Sequence, residues 1–169
     1  MNLQSQKLYD RGGKPCYTSR INGMADAFNT PATHDSTDLD IKSILLLDDD
    51  IELADTLKLL LESRNFVVTT VKNGVEGLHE VMALDFDVVM CDMMMPTMPG
   101  DMFYLAVQRT KPHLCSRFIF ITGHSDNPKI VEFLKKVNAM VLSKPVGTEE
   151  LIRAISFVIK QGETAQQLR

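Results

Sequence analysis

The chain has 169 residues, 44% of them hydrophobic and 24% charged, a balance that suits one ordinary globular domain and excludes a disordered or fibrous chain. A formal net charge of −4 gives no general attraction to nucleic acid or to an anionic membrane surface. The first thirty residues lack the apolar segment of a signal peptide and no apolar run could cross a bilayer, so a cytoplasmic protein is expected.

Residues 1–40 read as a flexible N-terminal extension, because Gly12-Gly13, Pro15, Gly23 and Pro31 punctuate a Ser/Thr/Asn/Asp-rich stretch with only scattered apolar side chains. From Ile41 short apolar runs alternate with helical periodicity, the pattern of βα units on a parallel sheet. The run Ile44-Leu45-Leu46-Leu47 predicts a buried strand, followed by a helix with Leu53, Leu57, Leu60 and Leu61 on one face. Val67 to Val71 predicts a second strand, and Asn73-Gly74 opens a helix with Val75, Leu78 and Val81 or Met82 inward. Val88 to Cys91 is the third strand. Residues 101–110 fit a third helix, broken before Lys111-Pro112 because a residue preceding proline avoids the helical region.

Phe118 to Ile121 predicts a fourth strand ending at Thr122-Gly123, and Asn127 to Val137 a helix carrying Ile130, Val131, Phe133, Leu134 and Val137. Ala139 to Ser143 is a fifth strand ending at Lys144-Pro145. Thr148 is the expected cap of the last helix, with Glu149 and Glu150 favoured by the helix dipole. The expected domain spans residues 41–161, leaving 162–169 as a short polar tail.

Two of these strands run into acid: the first into Asp48-Asp49-Asp50 and the third into Asp92. Carboxyl ends of strands in an open α/β sheet are where ligands bind. Carboxylates gathered there about 5 Å apart repel by roughly 3 kcal/mol per pair at an effective dielectric near 20, so the cluster calls for a cation. An all-oxygen acidic donor set suits a hard cation such as Mg²⁺. Thr122 and Lys144, at the ends of the fourth and fifth strands, add a hydroxyl and a positive charge suited to phosphoryl oxygens. Together they describe a phosphoryl-transfer site with a carboxylate nucleophile.

In order and spacing, Leu-Leu-Asp48-Asp49, Asp92 with Met95-Pro96 and Gly100, Thr122-Gly123 and Ser143-Lys144-Pro145 resemble the receiver domain of two-component response regulators, the chemotaxis-regulator-like fold. The resemblance implies a flavodoxin-like (βα)₅ doubly wound sheet of strand order 2-1-3-4-5. It implies phosphorylation of Asp92 by a histidine kinase or a histidine phosphotransfer protein, with Mg²⁺ held by Asp48, Asp49, Asp92 and the backbone carbonyl of Met94. It makes Thr122 and Lys144 the groups that bind the phosphoryl and switch, and places Lys144 through a cis bond to Pro145. Such a protein is a phosphoacceptor with at most self-phosphorylation and slow autodephosphorylation, not an enzyme. It signals by protein contact to a downstream target that the sequence does not identify, without direct nucleic-acid or membrane binding, and homodimerisation on phosphorylation is compatible with it.

Met94 and His124 flank the expected site as modulators; an apolar thioether cannot orient water as an amide can, which predicts slow autodephosphorylation. Receiver domains commonly carry Tyr or Phe three residues before the pocket lysine, where this chain has Val141, so the switch is expected to run through the Thr122 loop and backbone shifts. Two alternatives stay open. One is a pseudo-receiver that binds without being phosphorylated. The other is a Mg²⁺-dependent aspartyl-phosphate phosphohydrolase, suggested by the two-residue spacing of Asp48 and Asp50. The sequence also leaves open whether the chain is a stand-alone receiver or part of a longer regulator or hybrid kinase. The three cysteines, Cys16, Cys91 and Cys115, are scattered without a C-x-x-C pair and are expected as reduced packing or surface residues. His34, His79 and His113 lack metal-ligand spacing.

Overall fold

A computed structural model describes residues 41–124 and 126–167, together with the backbone of two short segments at 8–9 and 15–16. The chain divides into two compact units, Met1–Leu39 and Asp40–Arg169. In the first, Leu8–Tyr9 pairs antiparallel with Pro15–Cys16; the remainder of the expected extension lies outside the described residues.

The second unit alternates strands and helices: β1 (Ser43–Leu47), α1 (Ile51–Glu62), β2 (Val67–Val71), α2 (Gly74–Ala83), β3 (Val88–Asp92), α3 (Gly100–Thr110), β4 (Phe118–Thr122), α4 (Pro128–Val137), β5 (Met140–Ser143) and α5 (Thr148–Gln167). The five strands are all parallel, in the order β2-β1-β3-β4-β5. The parallel sheet is what the alternation predicts, and the flavodoxin-like doubly wound order is the one the resemblance implies. Its strands are apolar runs because both faces are covered. Leu45, Leu47, Val89, Cys91, Phe118 and Phe120 pack with Val81, Phe103, Val107 and Leu134 of α2, α3 and α4. Ile44, Leu46, Val88, Met90, Ile119 and Ile121 pack on the opposite face with Leu57 and Leu61 of α1 and Leu151, Ile155 and Val158 of α5.

Four details differ from the sequence reading. The α2 stripe faces the core with Gly74, Gly77 and Val81, leaving Val75 and Met82 exposed. Helical spacing alone overlooks glycines as inward positions, yet a Cβ on Gly77 would meet Leu47 and, at 3.2 Å, the Phe103 ring. Residues Pro112–Arg117 form a 3-10 helix where only a break was expected. Thr148 is the first residue within α5 rather than its cap, and the Leu151 N–H donates to the Gly147 carbonyl at 2.9 Å. Finally, α5 runs on to Gln167 through the stretch expected to be a tail, and Lys42 meets Glu163 at 3.0 Å there.

Short polar ties fix the ends of the elements. Asp50 caps α1 by accepting the Leu53 N–H, and Asn73 caps α2 by accepting from Val75 and Glu76. At the other edge of the sheet, Asp87 accepts from the backbone N–H and the hydroxyl of Ser43 at 2.8 and 3.0 Å, tying the starts of β1 and β3.

Gly100 opens α3 directly under the end of β3. Its N–H donates to the Met93 carbonyl at 3.1 Å, and a Cβ there would lie 2.5 Å from the Asp92 carbonyl oxygen and 3.1 Å from both Cys91 Sγ and Met93 Cα. Two of those three neighbours are backbone and cannot swing aside. Gly100→Ala is therefore expected to cost roughly 1–3 kcal/mol, as overpacking typically does, and to lower the melting temperature by about 5 °C. A variant that melts with the wild type in a thermal scan would remove close packing as the reason for glycine there.

Candidate functional site

The site grows from strand ends that the buried sheet holds in place. Asp48 follows the fully buried Leu47 and is itself only 2% exposed. Its N–H continues the β1 ladder to the Val71 carbonyl at 3.1 Å, and its Oδ1 accepts the Asp50 N–H at 2.9 Å. Asp49 is exposed, while Asp50 turns away to cap α1. Of the triple aspartate, Asp50 alone is committed to the helix.

Asp92, the last residue of β3, is 6% exposed, and Oδ1 accepts the Met94 N–H at 3.0 Å. Lys144 reaches across from the end of β5 and bridges the two buried acids, with Nζ 2.9 Å from Asp48 Oδ2 and 2.5 Å from Asp92 Oδ2. The bond from Lys144 to Pro145 is cis. Thr122, 1% exposed at the end of β4, accepts the His124 N–H through Oγ1 at 3.0 Å, and its carbonyl accepts the Lys144 N–H at 2.9 Å. One carboxylate oxygen from each of Asp48, Asp49 and Asp92 lies within 4.8 Å of the others.

Burial and pairing act on these charges with different results. Burial pushes the Asp48 carboxyl above its ordinary pKa, outweighing the hydrogen bonds from Lys144 and Asp50. Burial also opposes the charge on Lys144, but its hydrogen bonds to Asp92 and Asp48 prevail and hold its pKa above the usual lysine value. The two outcomes agree with exposure: the Lys144 side chain keeps 23% of its surface in solvent and that of Asp48 1%. Lys144 pairs with two of the three clustered carboxylates, so a formal excess of negative charge remains. This oxygen-only, electron-rich set fits a divalent cation.

The structure brings Asp48, Asp49, Asp92 and Lys144 together and places Thr122 at the same edge. Met94 and His124 join through backbone hydrogen bonds to Asp92 and Thr122. Val141 sits in β5 opposite Phe120, 37% exposed. With Thr122, Val131, Leu134 and Lys135 it lines an open apolar hollow of about 250 Å³. Sequence reasoning missed the support beneath the acids. The fully buried Cys91 donates its Sγ hydrogen to the Asp92 carbonyl at 3.2 Å, and burial, reinforced by the charges of Asp92 and Asp48, pushes its thiol well above the ordinary cysteine range. It is an inert packing residue. The Gly100 contact with Asp92 was equally hidden, although Gly100 belongs to the motif that carries the resemblance.

With this geometry in view, comparison with known proteins gives a consistent result. The response regulator receiver domain model matches residues 44–156. The chain is 31% identical over 126 residues to the transcriptional regulatory protein GlrR of Escherichia coli strain K12, covering 75% of this chain and 28% of that protein. It is 33% identical to the tetrathionate response regulatory protein TtrR of Salmonella typhimurium, covering 73% of this chain and 59% of the other. Among solved structures, a CheY-like response regulator receiver domain protein from Methanospirillum hungatei superposes with a TM-score of 0.69 at 25% identity, covering 74% of this chain and 98% of the other.

The chain belongs to the response regulator receiver domain family. It is a two-component receiver with an acidic pocket of the phosphoacceptor class, and it spans 28% of the length of GlrR and 59% of that of TtrR. No helix among the described residues is long and apolar enough to cross a membrane.

The charge balance makes a stability prediction. Adding MgCl₂ in place of EDTA is expected to raise the melting temperature by ligand linkage, and Asp49→Ala to lose most of that rise. Lys144→Ala leaves two buried carboxylates without their cation, which should destabilise the domain by up to about 3 kcal/mol and enlarge the response to MgCl₂. A full response in Asp49→Ala would remove Asp49 from the cation site.

Proposed function

We propose that Asp92 accepts a phosphoryl group from a phosphohistidine on a histidine kinase or a histidine phosphotransfer protein. The observation that carries this reading is the position of Asp92: a carboxylate buried at the end of the central strand, one oxygen held by Lys144 and the other by the Met94 N–H. Attack by its carboxylate on phosphorus forms a P–O bond and breaks the P–N bond, and the departing imidazole takes up a proton. Asp48, Asp49, Asp92 and the Met94 carbonyl are the groups proposed to hold Mg²⁺, which when bound neutralises charge on the phosphoryl oxygens.

Lys144 is already at the acceptor oxygen and supplies positive charge to the incoming group. The hydroxyl of Thr122, which accepts from His124 in this state, retains a proton to donate to a phosphoryl oxygen. Phosphorylation then raises the local charge toward two and gives both residues new acceptors. The downstream protein is read by surface contact, and homodimerisation of the phosphorylated form is one such contact. A donor made by a kinase from ATP sets this chemistry in the cytoplasm.

A phosphohydrolase finds less support, because the acid that such a mechanism would need beside Asp48 is engaged in capping: Asp50 Oδ1 accepts the Leu53 N–H at 3.1 Å. Incubation with acetyl phosphate and MgCl₂ followed by intact mass measurement should show one phosphoryl group on the wild type and none on Asp92→Asn. Steady turnover of a phosphomonoester would favour the hydrolase. Failure to label with acetyl phosphate or with a kinase donor would leave a binding module without phosphotransfer.

The half-exposed Met94 thioether beside Asp92 offers only weak hydrogen bonding to an attacking water. The phosphoryl group is accordingly expected to persist well beyond seconds after the donor is removed. Loss within seconds, followed by intact mass after desalting, would show that another group, with His124 a candidate, organises the water.

A further inference from the structure

The methionines around the acceptor are not equivalent. Met90, Met93 and Met95 are 0%, 3% and 6% exposed, whereas Met94 is 50% exposed. Its backbone N–H is bonded to Asp92 Oδ1 at 3.0 Å, so its flexible side chain is rooted beside the acceptor carboxylate and reaches solvent at that edge. The thioethers of Met90, Met93 and Met95 are shielded from solutes, and Met98 is part-buried against the core. The chemistry of a thioether in this position goes beyond weak water binding.

We propose that Met94 is a peroxide-sensitive modification site whose sulfoxide shortens the life of the phosphoryl group on Asp92, an inference that rests on Asp92 being the phosphoacceptor. In the step, the thioether sulfur attacks the peroxide O–O bond. An S–O bond forms, the O–O bond breaks, sulfur loses two electrons and the hydroperoxide is reduced, leaving as water when it is hydrogen peroxide. No other co-reactant is needed. A flexible apolar side chain becomes a polar one with a strong acceptor oxygen. That oxygen can accept a hydrogen bond from a water in front of Asp92, which the sulfur does poorly. The orienting group that Met94 lacks is created by its oxidation and removed by reduction of the sulfoxide.

The exposed Met82 and Met102, on α2 and α3, serve as internal controls. The test uses the full chain, treated with hydrogen peroxide and mapped by peptide mass, then phosphorylated with acetyl phosphate and MgCl₂, desalted and followed by intact mass. The expected result is sulfoxide at Met94 together with a several-fold faster loss of phosphoryl, reversed by methionine sulfoxide reductase. Met94→Leu should decay at one rate with and without peroxide, and Met94→Gln should decay fast without it. The proposal is overturned if Met94 stays reduced while Met82 and Met102 oxidise. It is equally overturned if its sulfoxide leaves the decay unchanged or slower, or if Met94→Leu is accelerated like the wild type. Absence of any adduct on untreated protein would instead overturn the phosphoacceptor reading, and this inference with it.

Discussion

The interaction on which the rest of the structure depends is the repulsion among carboxylates gathered at one edge of a buried sheet. Asp48 and Asp92 cannot separate, because the strands that deliver them are hydrogen-bonded neighbours with Leu47 opposite Cys91. Nor can they turn to water while 2% and 6% exposed. At separations near 5 Å each unscreened pair costs roughly 3 kcal/mol at an effective dielectric near 20. Lys144 offsets part of that cost from 96 positions away in sequence, and the backbone N–H groups of Asp50 and Met94 offset more. What remains uncompensated is a place for added positive charge.

The fold therefore holds its functional groups in tension instead of at rest. Burying apolar strands on both faces supplies the stability that makes a charged edge tolerable, and the same burial raises the Asp48 pKa. Gly100 illustrates how tightly the scaffold closes on the site: the chain after β3 passes so near the Asp92 carbonyl that there is no room for a side chain. The rigidity that positions Asp92 is made of packing and backbone contacts that carry no charge.

Much of this was legible because it is written in local pattern. Apolar runs of strand length, interrupted by 3.6-residue periodicity, gave the alternation, and each strand's terminal polar residue marked the edge where Asp48, Asp92, Thr122 and Lys144 meet. The triple aspartate was divided only by the resemblance, which gives the metal to Asp48 and Asp49; Asp50 caps α1. What escaped was information held in space and not in sequence neighbours. Gly77 faces inward because Leu47 and Phe103 occupy the volume a side chain would need, and nothing local distinguishes it from a helix-weakening glycine. The continuation of α5 past Gly162 is opposed by local propensity, while Lys42, from the start of the domain, meets Glu163 in that last stretch.

The hollow beside Thr122 follows from the same logic of space. A ring at position 141 could move in or out of this volume in step with the threonine; a valine has two methyl groups and leaves it open, lined by Val131, Leu134 and the stem of Lys135. With valine there, no ring swings behind Thr122 to report its rearrangement. A different connection is already made: the Thr122 carbonyl accepts the Lys144 N–H at 2.9 Å, so the two residues proposed to meet a phosphoryl group are also joined through backbone. A pull on Thr122 toward Asp92, on the proposed mechanism, passes through that bond to the end of β5. On the proposed mechanism the signal leaves through main-chain displacement along the β4 and β5 ends, with the apolar hollow as the volume that lets those segments move.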